Sequence, residues 1–454
     1  MKNIKLIALL IPLFWGCEKI EILPPPSSDV DDKTGTGDSD ARSILFVQNQ
    51  IPTIYLNPAS EETNVVSDDP LEYLSNDQFC KPIPGNTAKL NLDVFPTLAE
   101  GVNIPLQEPI ANSNLEPSNY IGAFGTTTGA DWYTDSEWFT MDAQEVDYGY
   151  NPNTVEVISG RITSNTTWTK DKRYRLDGQI FVESGVTLTI EPGTVIFGSD
   201  APGSDAGVLC FNRGSKINAV GTPDEPIVFT STFPPGQRTR GQWGGVVFCG
   251  DAVSNKGTDI GIEGINPVEP GDGEYGGSNN ADNSGQMAFV RVEFSGIAIT
   301  PGNEINGITF GGVGTGTDFH HLLVSYGGDD AMEWFGGAMN SHHIVTYNTL
   351  DDDLDMDQGF SGSVQHLYLV RWPYAADESG SAMFEVSSSK TVGTTPVTNA
   401  KISNATLVGP IYQLDGTGLI WDRLFQGGMY SKDDAHVEII NSVFIGMPVG
   451  IQNP

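Results

Sequence analysis

The chain has 454 residues and a formal net charge of −35, from 58 acidic and 23 basic side chains. Such acidity excludes nucleic acid and anionic membrane surfaces as electrostatic partners and favours cations or neutral and basic polymers. Charged residues are only 18 % of the chain, glycine (53) and proline (28) are frequent, and Val/Ile/Leu/Phe runs recur from about residue 155, so a folded, turn-rich chain is expected.

The N-terminus reads as a targeting segment. MKNIK is basic, LIALLIPLFW (6–15) is apolar but too short to span a bilayer comfortably, and Gly16-Cys17 offers a cleavage point before a cysteine. Residues 1–16 are therefore expected to be a lipoprotein signal, with Cys17 as the lipid attachment site of the mature chain. Phe14 and Trp15 are bulkier than such signals usually carry, and an ordinary cleaved secretory signal is the alternative. Loss of Lys2 and Lys5 takes the charge from −35 to −37. Residues 17–43, rich in Pro, Ser, Gly and Asp, read as a flexible tether. The implied location is the cell envelope, as a surface-exposed outer-membrane lipoprotein, with the membrane as partner through the lipid anchor. Of the remaining cysteines, Cys80, Cys210 and Cys249, the last two lie in apolar runs and read as core. One pair can oxidise in an exported protein.

Residues 44–154 are irregular and are expected to cap the domain that follows. Aromatics cluster at 120–139, where Trp132 and Trp138 suggest either a sugar-stacking platform or a plug for an open end. From 155 to 454 the pattern changes. Short strands are predicted at Gln179–Val182, Thr187–Ile190 and Thr194–Phe197, separated by Gly, Ser-Gly and Pro-Gly turns. An internal repeat follows. His320-His321-Leu322 aligns with His342-His343-Ile344, an offset of 22 residues. Asp329 then falls on Asp351, Asp330 on Asp352, and Glu333 on Asp355. A third copy starts at Gln365-His366, an offset of 23, and places Glu378 on Asp355. RVEFSG (291–296), KISNATLVG (401–409) and HVEIINSVFIG (436–446) read as further copies. A period of 22 to 23 residues built from short strands without helix predicts an all-β fold, a right-handed parallel β-helix of about ten coils. The copies run to the last residue with no amphipathic cap, so a longer chain or a partner is expected to cover the final coil.

The stretches LDGQIFVESGVTLTIEPGTVIFG (176–198) and GDDAMEWFGGAMNSHHIVTYNTLDDDLDMDQGFSG (328–362) carry a resemblance to exported right-handed β-helix lipoproteins of Bacteroidetes-type bacteria, over roughly residues 120–450. The resemblance implies a pectate-lyase-like superfold and an envelope location, and it supplies no reaction.

In a β-helix, equivalent residues stack about 4.8 Å apart. Asp329, Asp330, Glu333, Asp351, Asp352, Asp355 and Glu378 would then form a ladder of like charges. If half-buried, it requires protonation or a cation, and calcium suits it because it takes 6–8 oxygens in flexible geometry. Asp and Gly as ordinary corner formers, and carboxylates acting in catalysis, are the competing readings. The paired histidines at 320/321 and 342/343 can form a four-nitrogen metal site or a surface ladder, with one ring of each pair expected to face inward. Arg371 is the one evident base near the acids for a lyase, while Asp351, Asp352 and Asp355 can serve a hydrolase. No GxSxG, Walker A, HExxH or Cys/His zinc spacing is present. With Trp132, Trp138, Trp334 and Trp372 taken as ligand-stacking rings, the expected function is non-catalytic glycan binding or presentation with structural calcium. A polysaccharide lyase or hydrolase is the first alternative, and an adhesin or accessory partner of an outer-membrane transporter the second.

Overall fold

The computed structural model describes residues 44–47 and 106–453, apart from 126–131, 134–135, 301–302, 373, 411 and 415–417. The expected signal peptide, the tether, Cys17 and Cys80 lie outside the described residues. Among the described residues no helix is long and apolar enough to cross a membrane.

From Glu156 onward the chain winds as a right-handed parallel β-helix with three faces. Ten parallel strands, from Arg161–Ile162 to Ile451–Gln452, make the third face. The first and second faces form one continuous sheet that folds at a corner. In early coils the two faces are separate strands: Lys216–Val220 pairs Ile217 with Gly285, and Ile227–Ser231 pairs Ile227 with Val290. Both thus meet the single long strand Gly285–Glu293. Later coils keep this long-strand form in Asp318–Ser325, Asn340–Tyr347, Ser363–Val370 and Asn399–Val408.

From the strand Gly285–Glu293 onward a single residue makes the corner. Phe289, His321, His343, His366, Asn404 and Asn441 all have φ between 49° and 58°, and the strand pairing skips them, running from His320↔His342 to Leu322↔Ile344. A left-handed backbone costs an L-residue roughly 1–2 kcal/mol, and Asn and His are among the side chains that tolerate it best. The repeat offsets hold in register: Leu323 pairs Val345, Val345 pairs Tyr368 and Leu367 pairs Ala405. The predicted strands at 179–182 and 187–190 are present as expected, and the third runs Val195–Gly198.

The interior is filled by like residues stacked on like. Leu322, Ile344, Leu367 and Ala405 form one fully buried column. Phe211, Phe248, Phe310 and Trp334 form another, with ring centroids 4.8, 6.0 and 5.1 Å apart.

The described part of the N-terminal region is a lateral strap rather than an end cap. From Gln107 to Tyr148 it passes from late coils to earlier ones along the corner column, doubling back at 116–122, where the Gly122 amide donates to Asn441 O at 2.8 Å. Gln107 exchanges two 2.9 Å hydrogen bonds with the Asn441 side chain, and Glu116 does the same with Gln365 at 2.8 and 2.9 Å. The Asn404 amide donates to Ser118 Oγ, Tyr120 O and Gly122 O. Further along, Trp138 Nε1 donates to Val290 O at 3.1 Å and Tyr148 Oη donates to Glu293 at 2.8 Å. The strap covers the outward side of the second face because that side is apolar: Leu323, Val345, Tyr368 and Val370 pack there against Phe124, Trp138 and Met141.

A second excursion, between Cys249 and Gly285, carries the antiparallel pair Ile260–Gly261 and Glu274–Tyr275. It covers the outward side of the third face in the early coils, where Phe181, Cys210, Val247 and Cys249 meet Ile262, Ile265 and Tyr275. Cys210 and Cys249 are buried and free, as the core reading expects.

Candidate metal centre

The outward side of the third face changes character where that excursion ends. Strand alternation points one residue in two outward, and successive coils align them in a column. Strand pairing places Thr309 beside Glu333, Glu333 beside Asp355, and Asp355 beside Glu385. The turn between the second and third faces adds a parallel row. Asp330 Oδ1 accepts the Asp352 amide at 2.8 Å, and the Ala331 amide donates to Asp352 O at 2.9 Å, so the two turns sit directly on one another.

Carboxylate oxygens within 4.8 Å of one another fall into three overlapping groups: Asp329, Asp330 and Asp351; Asp330, Glu333 and Asp355; and Asp352, Asp355 and Glu385. The coil-to-coil stacking expected for Asp329, Asp330, Glu333, Asp351, Asp352 and Asp355 is therefore present. Glu378 is a correction. Val345 pairs Tyr368, 23 residues on, whereas Leu354 pairs Phe384, 30 residues on. The third coil inserts residues in its turn, so Glu385 stacks on Asp355, while Glu378 is exposed in the inserted loop.

Asp330, Glu333 and Asp352 are more than nine-tenths buried, and Asp353 is wholly buried. Few groups compensate them. Asn306 donates to Glu333 Oε2 at 2.6 Å, Lys432 pairs with Glu385 at 2.5 Å, and Arg371 pairs with Asp353 at 3.3 Å. Asp351 Oδ1 and Asp355 Oδ1 are buried with no hydrogen-bond partner. Burial, and then neighbouring carboxylates, push Asp329, Asp330, Glu333, Asp352 and Asp355 well above the usual carboxylate range. Burial raises Asp351 to about 6, against a 3.0 Å hydrogen bond from Ser379 Oγ. An oxygen-only, anionic, partly desolvated set of this kind suits a hard divalent cation.

Arg371 is not available as a base. It is fully buried, donates to Thr349 O, Leu350 O and Ala382 O, and pairs with Asp353. It pins two successive turns together by their carbonyls.

The aromatic residues divide. Trp334 stacks inside the core and Trp138 is fully buried between the strap and the second face, so neither presents a face to a ligand. Trp132 is half-buried, stacked on Phe124 at 4.9 Å and edge-on to His343. Trp372 is half-exposed and opens the loop that brings Ser379 to Asp351. Sequence reasoning missed Glu385, Asp357 and Lys432 beside the column. Asp357 pairs Phe335 in the same outward series.

The three-faced parallel β-helix defines the fold class, and a fold of this kind does not by itself fix a reaction. The chain matches the pectate-lyase-like beta helix domain over residues 160–450 and belongs to that family. Comparison with curated proteins and with solved structures finds no match.

Proposed function

We propose that the protein is a non-catalytic, calcium-stabilised β-helix that binds or presents glycan at the surface of the cell envelope, tethered through a lipid on Cys17. The observation that carries this reading is the carboxylate column, which has two buried oxygens without hydrogen-bond partners and too few basic neighbours to neutralise it. Asp329, Asp330, Glu333, Asp351, Asp352, Asp355 and Glu385 would hold calcium, which would supply the missing positive charge and open positions for sugar hydroxyls. Trp372 and the exposed Tyr374, on the loop beside the column, offer ring faces for a bound sugar. A lyase acting here would need a base that Arg371, locked in the interior, cannot be.

The test is thermal melting with and without a chelator, followed by a glycan array in calcium. A melting temperature unchanged by chelation refutes the calcium role, and an array at background refutes glycan binding. Turnover of a polysaccharide abolished by Asp351→Ala or Asp355→Ala would instead make the protein a hydrolase. Co-purification with an outer-membrane β-barrel would make it a transporter accessory.

A further inference from the structure

Five of the six histidines in the chain lie at one corner, on the opposite edge of the second face from the carboxylates. Neither ring of a pair points into the core, in contrast to the alternation expected from sequence. The left-handed residue at 321 or 343 bends the chain, so the two consecutive side chains project on the same, outer side. His320 Nδ1 lies 2.7 Å from His321 Nδ1, and His342 Nδ1 lies 2.6 Å from His343 Nδ1. Two Nδ1 atoms this close share either a proton or a metal ion. The rings also stack coil on coil, His320 on His342 at 4.8 Å and His321 on His343 at 4.4 Å, nearly parallel in both cases.

We propose that His320, His321 and His342 form a binding site for a late first-row divalent transition metal, independent of the calcium column. One nitrogen from each of the three lies within 4.8 Å of the other two. Ligand nitrogens at the tetrahedral angle around zinc, each about 2.0–2.1 Å from it, sit about 3.3–3.4 Å apart, so the His320–His321 pair at 2.7 Å must open slightly to admit the ion. The third nitrogen must move inward, and His342, which is exposed, would exchange its contact with His343 Nδ1 for the ion.

The set is all-imidazole, which favours zinc, nickel or copper over calcium or magnesium. The back of the site is lined by aromatic rings: Phe289 lies 4.4 Å and Trp138 5.4 Å from the His321 ring. The front is open, with the exposed Asp318 two residues before His320 on the same outward row. The arrangement is also finite. In the next coil Gln365 replaces the first histidine, and His366 turns its Nδ1 to Tyr120 Oη at 3.1 Å. His343 and His366, stacked behind at 4.8 Å, hold the ring planes in place.

The experiment is calorimetric titration of the full chain with zinc alone, in excess calcium so that the carboxylate column is not counted. One equivalent is expected, with an X-ray absorption first shell of nitrogen at about 2.0–2.1 Å. His342→Ala and His321→Asn should each weaken binding by about 100-fold or more, while His436→Ala leaves it unchanged. Asn at 321 keeps the left-handed backbone that Asn404 and Asn441 already adopt, so that variant separates loss of a ligand from loss of fold. No saturable uptake by the wild type, or uptake unaltered in both variants, would overturn the site and leave the pairs as proton-sharing ladders.

Discussion

Asp355→Asn tests the cation reading by a change of sign. Asp355 stands between Glu333 and Glu385 in the outward column, and its carboxylate joins oxygens of both neighbours in groups no wider than 4.8 Å. At an effective dielectric of about 20, two unit charges at that separation repel by about 3–4 kcal/mol. Proton uptake by the buried acids relieves part of this, so removing the central charge should stabilise the calcium-free protein by about 1–3 kcal/mol at pH 8. For a domain of about 300 residues that is a rise of a few degrees in melting temperature, on the order of 1.5 °C per kcal/mol. In calcium the order reverses. The wild type gains about 4 kcal/mol when the ion is about 1,000-fold above its dissociation constant, and the variant, short of a ligand, gains far less. The assay is a pair of thermal melts by circular dichroism, in chelator and in millimolar calcium. If Asp355→Asn is destabilised equally in both, the carboxylate is an ordinary structural hydrogen-bonding group and the metal argument fails.

Three further outcomes follow from the same geometry. The stability associated with raised carboxylate pKa values is fully present below the unfolded value near 4 and is lost as pH rises through the folded values, about 6 for Asp351. Calcium replaces those protons, so the calcium-induced rise in melting temperature should be larger at pH 8 than at pH 5.5. Titration of the histidines contributes alike with and without the ion, and a rise independent of pH would contradict this assignment. Arg371→Met should destabilise by about 3–5 kcal/mol, because it leaves Asp353 charged and unpaired in the interior, and adding Asp353→Asn should restore much of that loss in urea unfolding. Trp372→Ala should lower glycan retention on an affinity column while shifting the melting temperature by under about 1 °C, whereas Trp334→Ala should cost about 3–5 kcal/mol by opening a core cavity.

The coil repeat was legible because a solenoid places equivalent residues on top of each other, so a sequence offset becomes a spatial distance. His320/His342, Glu333/Asp355 and Leu323/Val345 all pair as their 22-residue offset requires. Glu378 failed for the same reason. A turn can lengthen without disturbing the sheets, and the insertion before Ser381 carries no signal in the first strand of its coil. Trp334 was readable and was misread. It follows Glu333 directly, so alternation turns it inward once Glu333 is taken as outward. The histidine corner was not readable, since only the positive φ of a single residue per coil sends two consecutive rings the same way. The strap lay beyond pattern reasoning altogether, for its hydrogen bonds join irregular segments more than 240 residues apart to the corner column.

That strap sets an order of events. Gln107 to Tyr148 are made before any coil, yet the groups that receive the first of them, on Gln365, Asn404 and Asn441, are among the last to be made. The segment must therefore wait unattached while the solenoid grows, then close along the corner as a late seam over a large chain separation. Until it closes, an apolar stripe along the second face is open to water and to other chains, so late synthesis is the interval in which this protein is most exposed to misassembly.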